Sequence, residues 1–391
     1  MSLADAHAVI DRAIAARVFP AAAVEVGTAR DIVWAGAFGS LTFDAGSSAA
    51  TSATIFDLAS LTKPIATTTV IMEQVRSGAM TLDASVAAIF EDWRGVDREQ
   101  VTVRDLLEHA SGLPARLVDR PPATRREFEH GIGTIPLEYV PRTRSVYSDL
   151  GFILLGFLAA DVGEAPLDVL FDRITVRLKP DTTATGREGD RAGGDPVRDG
   201  GGVRLQADRD PGSVRLRADR DPGSVRLQPD RDPGLTFDVP STHRHLTAPT
   251  EPMDGDPRRG RRLVGEVHDD YAAALGGVAG HAGLFGTASA VGAFARLMLR
   301  TDDMIRLFTT KSSVPDSSRA LGWDTMLPTS SCGTRMSATA FGHVGFTGTS
   351  LWIDPARDRY VVLLTNRVCG GGTLAEMREV RRALHDALGD V

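Results

Sequence analysis

Phe56-Asp57-Leu58-Ala59-Ser60-Leu61-Thr62-Lys63-Pro64-Ile65-Ala66 is the stretch from which the rest of the chain can be read. Its pattern predicts a helix that begins near Ser60 and runs to about Ser77, stopped by Gly78. On a helix, residues three apart share a face, so Lys63 lies beside the Ser60 hydroxyl. A serine hydroxyl is a weak nucleophile until a base takes its proton. Lysine serves as that base when burial and neighbours lower its pKa. Phe56, Leu58, Ala59, Ile65 and Ala66 make the flanks apolar, so this lysine is expected to be buried. It is also one of only three lysines, with Lys179 and Lys311, in a chain whose other cations are arginines. Arginine does not give up its proton, so a position that needs a neutral amine must keep lysine. Taken alone, serine three residues before lysine is common on exposed helices. The pair gains weight from two segments further along the chain.

Tyr147-Ser148-Asp149 stands at the start of an apolar run, 148–161, that reads as a helix with Ser148 or Asp149 as its cap. The bland reading of the triplet is that cap alone. The functional reading has Tyr147 reach the Ser60–Lys63 pair and relay a proton. Gly342-His343-Val344-Gly345-Phe346-Thr347-Gly348 reads as a strand that sets His343 and Gly345 on one face, with glycine permitting close approach of backbone or substrate.

These three segments, in this order, resemble the motifs of the serine β-lactamase and penicillin-binding superfamily, in its branch of class C β-lactamases, esterases and D-amino-acid peptidases. Ser60-Leu61-Thr62-Lys63 is similar to the SxxK motif. Tyr147-Ser148-Asp149 is similar to Tyr-x-Asn with aspartate for asparagine, and His343-Val344-Gly345 to Lys-Thr-Gly with histidine for lysine. Residues 102–114, 265–285 and 346–366 resemble the family too. The resemblance implies a Ser60 acyl-enzyme, with Lys63 and Tyr147 managing the proton and the N–H groups of Ser60 and Phe346 receiving the oxyanion. It implies substrate contacts at Asp149, His343, Gly345 and Phe346, and needs neither metal nor cofactor. The substrate is expected to be a small ester or an amide, including D-amino-acid peptides or β-lactam-like rings. The two departures argue against efficient β-lactam hydrolysis. Asp149 adds negative charge, and a histidine with a reference pKa of about 6.5 loses its charge through neutrality unless Asp149 raises that value. His343 is therefore expected to read substrate charge in a pH-dependent way.

The wider pattern fits an α+β fold. A helix is expected over 3–18 with Ser2 as its cap, then a hairpin of 21–26 and 32–38. A long, mostly helical middle comes next, including helices at 101–114 and 288–300. A second hairpin, 342–353 with 359–366, and a helix over 373–389 with Leu374, Met377, Val380, Leu384 and Leu388 inward close the chain. Terminal segments that rejoin one antiparallel sheet, flanked by terminal helices and with a mostly helical second lobe, make residues 1–391 a single two-lobed domain.

The 391 residues are 42% hydrophobic, enough for a large core, and the net charge of -7 excludes an overall basic field for nucleic acid. No apolar stretch reaches the ~18 residues a membrane span needs. The acidic start, Met1 to Arg12, lacks the basic and apolar pattern of a signal peptide, so a cytoplasmic protein is expected, or a periplasmic one if translation starts upstream. Cys332 and Cys369 form no CxxC pair. Gly276–Gly283 reads as a tight loop in which His281 either lines the cleft or braces the loop. His268, Asp269, Asp270 and His281 have no metal-ligand spacing.

VRLQADRDPGS at 203–213 repeats nearly unchanged at 214–224 and 225–235, with a partial copy from Val176. Each unit offers only Val and Leu as large apolar groups, and Asp-Pro-Gly breaks it. Residues 176–235 are therefore expected to be a disordered insertion rather than a solenoid. Two other functions remain open: an acyl receptor or sensor that turns over little, and an interaction protein acting through the repeats.

Overall fold

Ala21–Gly27 is buried along its whole length because its side chains alternate between two cores. Ala22, Val24 and Val26 point into one and Ala21 and Ala23 into the other. That period of two is what a strand covered on both faces requires. The structure, a computed structural model, describes residues 3–117, 122–178 and 234–389. The chain divides into two units, 1–178 with 232–391, and 179–231. The second unit lies outside the described residues, and with it nearly all of the expected repeat insertion.

Among the described residues the elements run in this order: α1 (Leu3–Ala15), β1 (Ala21–Gly27), β2 (Ile32–Gly39), β3 (Phe56–Asp57), α2 (Thr69–Arg76), α3 (Val103–Leu107), α4 (Arg125–Thr134), α5 (Asp149–Val162), α6 (Leu167–Leu178), α7 (Asp270–Ala274), β4 (Phe285–Gly286), α8 (Ala288–Leu299), α9 (Asp303–Thr309), β5 (Asp324–Thr325), β6 (Phe341–Val344), β7 (Ser350–Asp354), β8 (Arg359–Thr365) and α10 (Leu374–Leu388). β2-β1-β8-β7-β6-β5 form a six-stranded antiparallel sheet, and β3 with β4 a second small one. The N-terminal and C-terminal segments rejoin one sheet through β1 and β8, where Val24 pairs with Leu363.

One face of the sheet is covered by α1 and α10. Ile10, Met377, Leu384 and Leu388 pack there on Val24, Val361 and Leu363. The other face meets α8, and Glu25 of β1 is buried there, bonded to Tyr360 Oη at 2.7 Å and Arg296 Nη1 at 2.8 Å. A buried carboxylate with two such partners ties β1, β8 and α8 together. The helical part is organised around α5, which is apolar on every side and packs against α2, α3 and α6.

Several boundaries differ from the sequence reading. α1 stops at Ala15, and Arg17 turns the chain with φ +58°. Ser2 lies outside the described residues. Residues 59–76 are not one α-helix. Ala59–Leu61 is a 3-10 turn, Lys63–Thr68 a π-helical turn, and only then does α2 begin. Pro64 lacks an N–H, and Thr69 Oγ1 donates back to its carbonyl at 3.2 Å, which sustains the wider turn. Residues 342–353 are two strands, β6 and β7, joined by a turn at 345–349. Leu374, expected inside, is exposed as the first residue of α10. α6 continues to Leu178, so the first residues of the partial repeat copy are helical.

α5 is positioned by glycine against glycine. A Cβ at Gly280 would stand 2.0 Å from Phe152 O and 2.8 Å from Gly156 N, both backbone atoms that cannot step aside. Gly280→Ala is accordingly expected to cost roughly 1–3 kcal/mol of unfolding free energy through overpacking. Urea denaturation checks this; a midpoint equal to that of the parent protein would show that the contact is not tight.

Candidate active site

Ser60 is held by a backbone the sequence alone does not suggest. Ala59 has φ +48°, a left-handed conformation that costs a β-carbon-bearing residue energy and lifts the next side chain out of the regular helical path. Its N–H donates to Asp57 Oδ1 at 2.8 Å, and the N–H of His268 donates to Asp57 Oδ2 at 2.6 Å. Asp57 is buried, and burial raises its pKa to about 6 against the opposing pull of those two N–H groups. The same segment is stitched to the turn after β6. Thr347 Oγ1 donates to Asp57 O at 2.8 Å and Thr349 Oγ1 to Leu58 O at 3.0 Å.

Two side chains converge on Ser60 Oγ. Tyr147 Oη donates to it at 2.7 Å and Lys63 Nζ at 3.1 Å. Lys63 Nζ also donates to Asp149 Oδ1 at 2.8 Å and to the backbone oxygen of His281 at 3.2 Å. Lys63 is fully buried, so its three N–H bonds meet three acceptors and no water is needed. Burial opposes the charge on Lys63. The Asp149 carboxylate and the Tyr147 oxygen outweigh that effect, so the pKa stands above the usual lysine range. This corrects the expectation of a lysine pulled down by its surroundings: an opposite charge at 2.8 Å is stronger here than desolvation. If the amine loses a proton, its lone pair has one possible donor among these three. Asp149 and the His281 carbonyl only accept, whereas the Ser60 hydroxyl can give. Burial likewise raises the pKa of Tyr147, although Lys63 opposes this.

Ser148 caps α5 by accepting from Gly151 N–H, so it does the capping and Asp149 points into the site. His109, absent from the sequence reading, fixes this corner. Its Nδ1 accepts from Ser148 N–H at 3.1 Å, and its ring lies 4.8 Å from that of Tyr147. Burial holds its pKa well below the ordinary value, so the ring is neutral and Nδ1 is free to accept.

The cleft above Ser60 has a volume of about 560 Å³. Its wall holds Arg116, whose guanidinium stacks over Tyr271 at 3.9 Å, contacts Asp269 at 3.1 Å and Asp149 at 3.5 Å, and pairs with Asp270. His281 turns out to brace: its side chain is buried and Nε2 meets Asp269 Oδ1 at 2.7 Å, while its carbonyl serves Lys63. Burial pushes the Asp269 carboxyl up, yet His281 and Arg116 hold it well below the usual carboxylate range. Asp269 and Asp270 are thus occupied as ion-pair partners, and Asp269 also caps α7. Cys332 and Cys369 are both buried free thiols.

His343 is where the charge expectation fails. It lines the cleft but is buried, with Nδ1 against Val344 O at 2.9 Å and Nε2 without a partner among the described residues. Burial, then Arg319 and Lys63, hold its pKa well below the ordinary value. Asp149 does not raise it, because Lys63 and Arg116 engage that carboxylate. His343 is a neutral ring packed 6.0 Å from Tyr147 and presents no titrating charge near neutrality. Gly345 ends the strand instead of continuing it. A Cβ there would meet Leu58 O at 2.7 Å, so glycine is what lets the turn close on the Ser60 segment. Phe346 comes next on that turn, lining the cleft with its ring stacked on His268 at 5.6 Å.

The fold and this serine-centred cluster define a serine hydrolase. The Beta-lactamase family description matches residues 6–386. An N-acetylmuramyl-L-alanine amidase of Bacillus subtilis (strain 168) is 29% identical over 357 residues, covering 80% of this chain and 68% of that one. A putative D-alanyl-D-alanine carboxypeptidase of Escherichia coli (strain K12) is 26% identical over 367 residues, covering 81% and 70%. Among solved structures, EstCE1, a hydrolase with promiscuous acyltransferase activity, superposes with a TM-score of 0.68 at 16% identity over 99% of this chain and 100% of that one. The Beta-Lactamase/D-Alanine Carboxypeptidase from Pseudomonas syringae gives 0.67 at 13% identity, covering 98% of each chain. The chain belongs to the Beta-lactamase family.

The Lys63–Asp149 pair has a direct spectroscopic test, because three lysines give three resolvable Cε resonances in a lysine-labelled sample. Lys63 is expected to titrate above the usual lysine range. In Asp149→Asn its pKa should drop, because burial then acts on the amine without the close opposite charge that opposed it. An unshifted Lys63 titration in the folded variant would remove Asp149 as the controlling charge.

Proposed function

We propose that this hydrolase works through an acyl-enzyme on Ser60 and takes uncharged esters and amides that carry an apolar group. The carrying observation is the convergence of Tyr147 Oη and Lys63 Nζ on Ser60 Oγ inside the cleft. In the first step Ser60 Oγ bonds to the substrate carbonyl carbon. Lys63 rests protonated, so the step requires that its extra proton first leave to solvent through the cleft; the Ser60 proton then passes to the freed amine, directly or through Tyr147, and the C=O electron pair moves to oxygen. The N–H groups of Ser60 and Phe346 receive the oxyanion. Collapse expels the alcohol or amine, which regains the proton from the Lys63–Tyr147 pair. Water repeats the sequence on the acyl-serine and releases the acid. The relatives named amidase and carboxypeptidase support amides beside esters as substrates.

The substrate class rests on the cleft wall. Arg116 and Arg319 already have carboxylate partners, Arg319 with Asp324 at 2.8 Å, and His343 is neutral. Arg381 is buried with its Nη2 on two backbone oxygens. No described residue of the wall therefore offers an open, exposed cation for a substrate carboxylate to claim cheaply. At the mouth stand Met253, Phe346 and Leu374, 52%, 37% and 53% exposed, from three separate segments. Large apolar side chains gathered at a cleft mouth gain free energy when a ligand covers them.

Incubation with a fluorophosphonate should add one phosphonyl group to the peptide containing Ser60, and Ser60→Ala should abolish both adduct and hydrolysis of p-nitrophenyl acetate. Hydrolysis at the parent rate in folded Ser60→Ala would overturn the nucleophile. Met253→Ser combined with Leu374→Ser is expected to lower the hexanoate-to-acetate ratio of kcat/KM by about tenfold, the worth of partly covering two such side chains. An unchanged ratio would remove the apolar mouth from substrate selection.

A further inference from the structure

The turn between β6 and β7 is gripped by two arginines that no carboxylate among the described residues accompanies. Arg381 of α10 is buried, and its Nη2 donates to Gly345 O at 2.9 Å and to Thr349 O at 3.0 Å. Arg367, just past β8, donates to Phe346 O through Nε at 3.2 Å and Nη2 at 2.6 Å. The charge acting on Arg381 is that of Arg367, a like charge. The other described cations at the cleft each have a carboxylate partner: Lys63, Arg116 and Arg319. Burial draws the Arg381 pKa down to about 9, which leaves the group charged at neutral pH.

Burying a guanidinium without a counter-ion is costly, and a neutral donor is enough to close a turn. The placement of the charge gives it a second use. Gly345 O and the Phe346 N–H belong to one peptide unit, and the chain has no cis peptide bonds among its described residues. In a trans peptide the C=O and N–H point in opposite directions. A cation on Gly345 O therefore turns the Phe346 N–H away from Arg381. It also polarises the peptide, so that N–H becomes a stronger donor. Arg367 fixes the next peptide unit in the same way. When Ser60 attacks a neutral carbonyl, a new negative charge appears in the cleft, and the guanidinium behind this turn is the charge left uncompensated to meet it.

We propose that Arg381 is a positioning residue for the reaction, which orients and strengthens the Phe346 N–H toward the oxyanion by placing an unpaired positive charge on the Gly345 carbonyl. The inference rests on Ser60 being the nucleophile. Removing Arg381 should weaken the tetrahedral state and spare the ground state.

The test compares parent, Arg381→Lys, Arg381→Gln and Arg381→Met. Stopped-flow acylation by p-nitrophenyl acetate separates the acylation rate constant from the substrate dissociation constant. A neutral arylboronic acid supplies the tetrahedral state: Ser60 Oγ bonds to boron, no bond to boron breaks, and the hydroxyl proton is released to solvent by way of the Lys63–Tyr147 pair. Arg381→Met is expected to slow acylation on the order of tenfold to a hundredfold and to weaken boronic acid inhibition by a similar factor. Substrate dissociation should change by less than about threefold, and Arg381→Lys should recover most of both losses. Arg381→Gln, a neutral donor, should resemble Arg381→Met, and it replaces that variant if the methionine protein does not fold. Equal losses in the lysine and glutamine variants would overturn the proposal, since a purely structural brace has no use for the charge. So would unchanged boronic acid affinity in folded Arg381→Met or Arg381→Gln. Fluorophosphonate labelling of Ser60 in every variant keeps the two readings apart: loss of the Ser60 assignment shows in Ser60→Ala, whatever Arg381 does.

Discussion

A buried ammonium ion has to find three acceptors or give up its charge, and the centre of this protein is arranged around Lys63 doing the former. The acceptors come from three places: Ser60 three residues away, Asp149 at the start of α5, and the His281 carbonyl in the glycine-rich loop. Much of the local architecture serves to bring them together. The π-helical turn carries Lys63 inward, the Ser148 cap frees Asp149 to face it, and the Gly156–Gly280 contact brings the loop of His281 against α5. An unpaired charge at such a depth is expensive, so the ion pair holds these segments in register as well as tuning a proton. The consequence for chemistry is that the amine rests protonated, and the serine proton can move only when that balance is tipped.

The second arrangement concerns where negative charge is received. Asp57 links the N–H groups of Ala59 and His268, and the ring of His268 stacks on Phe346. One buried carboxylate thus ties the backbone just before Ser60 to that of His268. Threonines 347 and 349 close the same gap from the turn. The left-handed Ala59 is tolerable because these bonds over-determine it.

Charge in the cleft is mostly spent internally. Arg116 is shared among Asp149, Asp269 and Asp270, and Arg319 answers Asp324. With His343 buried and neutral, the wall that a cationic side chain would make selective for anions is instead a packed ring beside Tyr147. The exposed groups left at the mouth are apolar, which is why the site reads as one for neutral substrates.

What the sequence determined by itself was local. The i, i+3 spacing of Ser60 and Lys63, the threonine and serine caps at 102 and 148, the strand segments at 21–26 and 359–366 and the α+β order all come from relations between near neighbours, which spacing encodes. That the terminal segments rejoin one antiparallel sheet was readable too, whereas the pairing of β1 with β8 that joins them was decided by the fold. Tertiary structure decided the electrostatics. Lys63 meets partners 86 and 218 residues away, and the charge of the first of them, Asp149, helps reverse the direction that burial alone would give its pKa. The sequence shows that residue 343 is a histidine on a strand, but not that the strand end is buried and the ring uncharged. Asp57, His109, Arg367 and Arg381 have no motif, since each works by reaching a backbone atom. Any sequence offers such an atom at every residue, so only the folded chain shows which one is met.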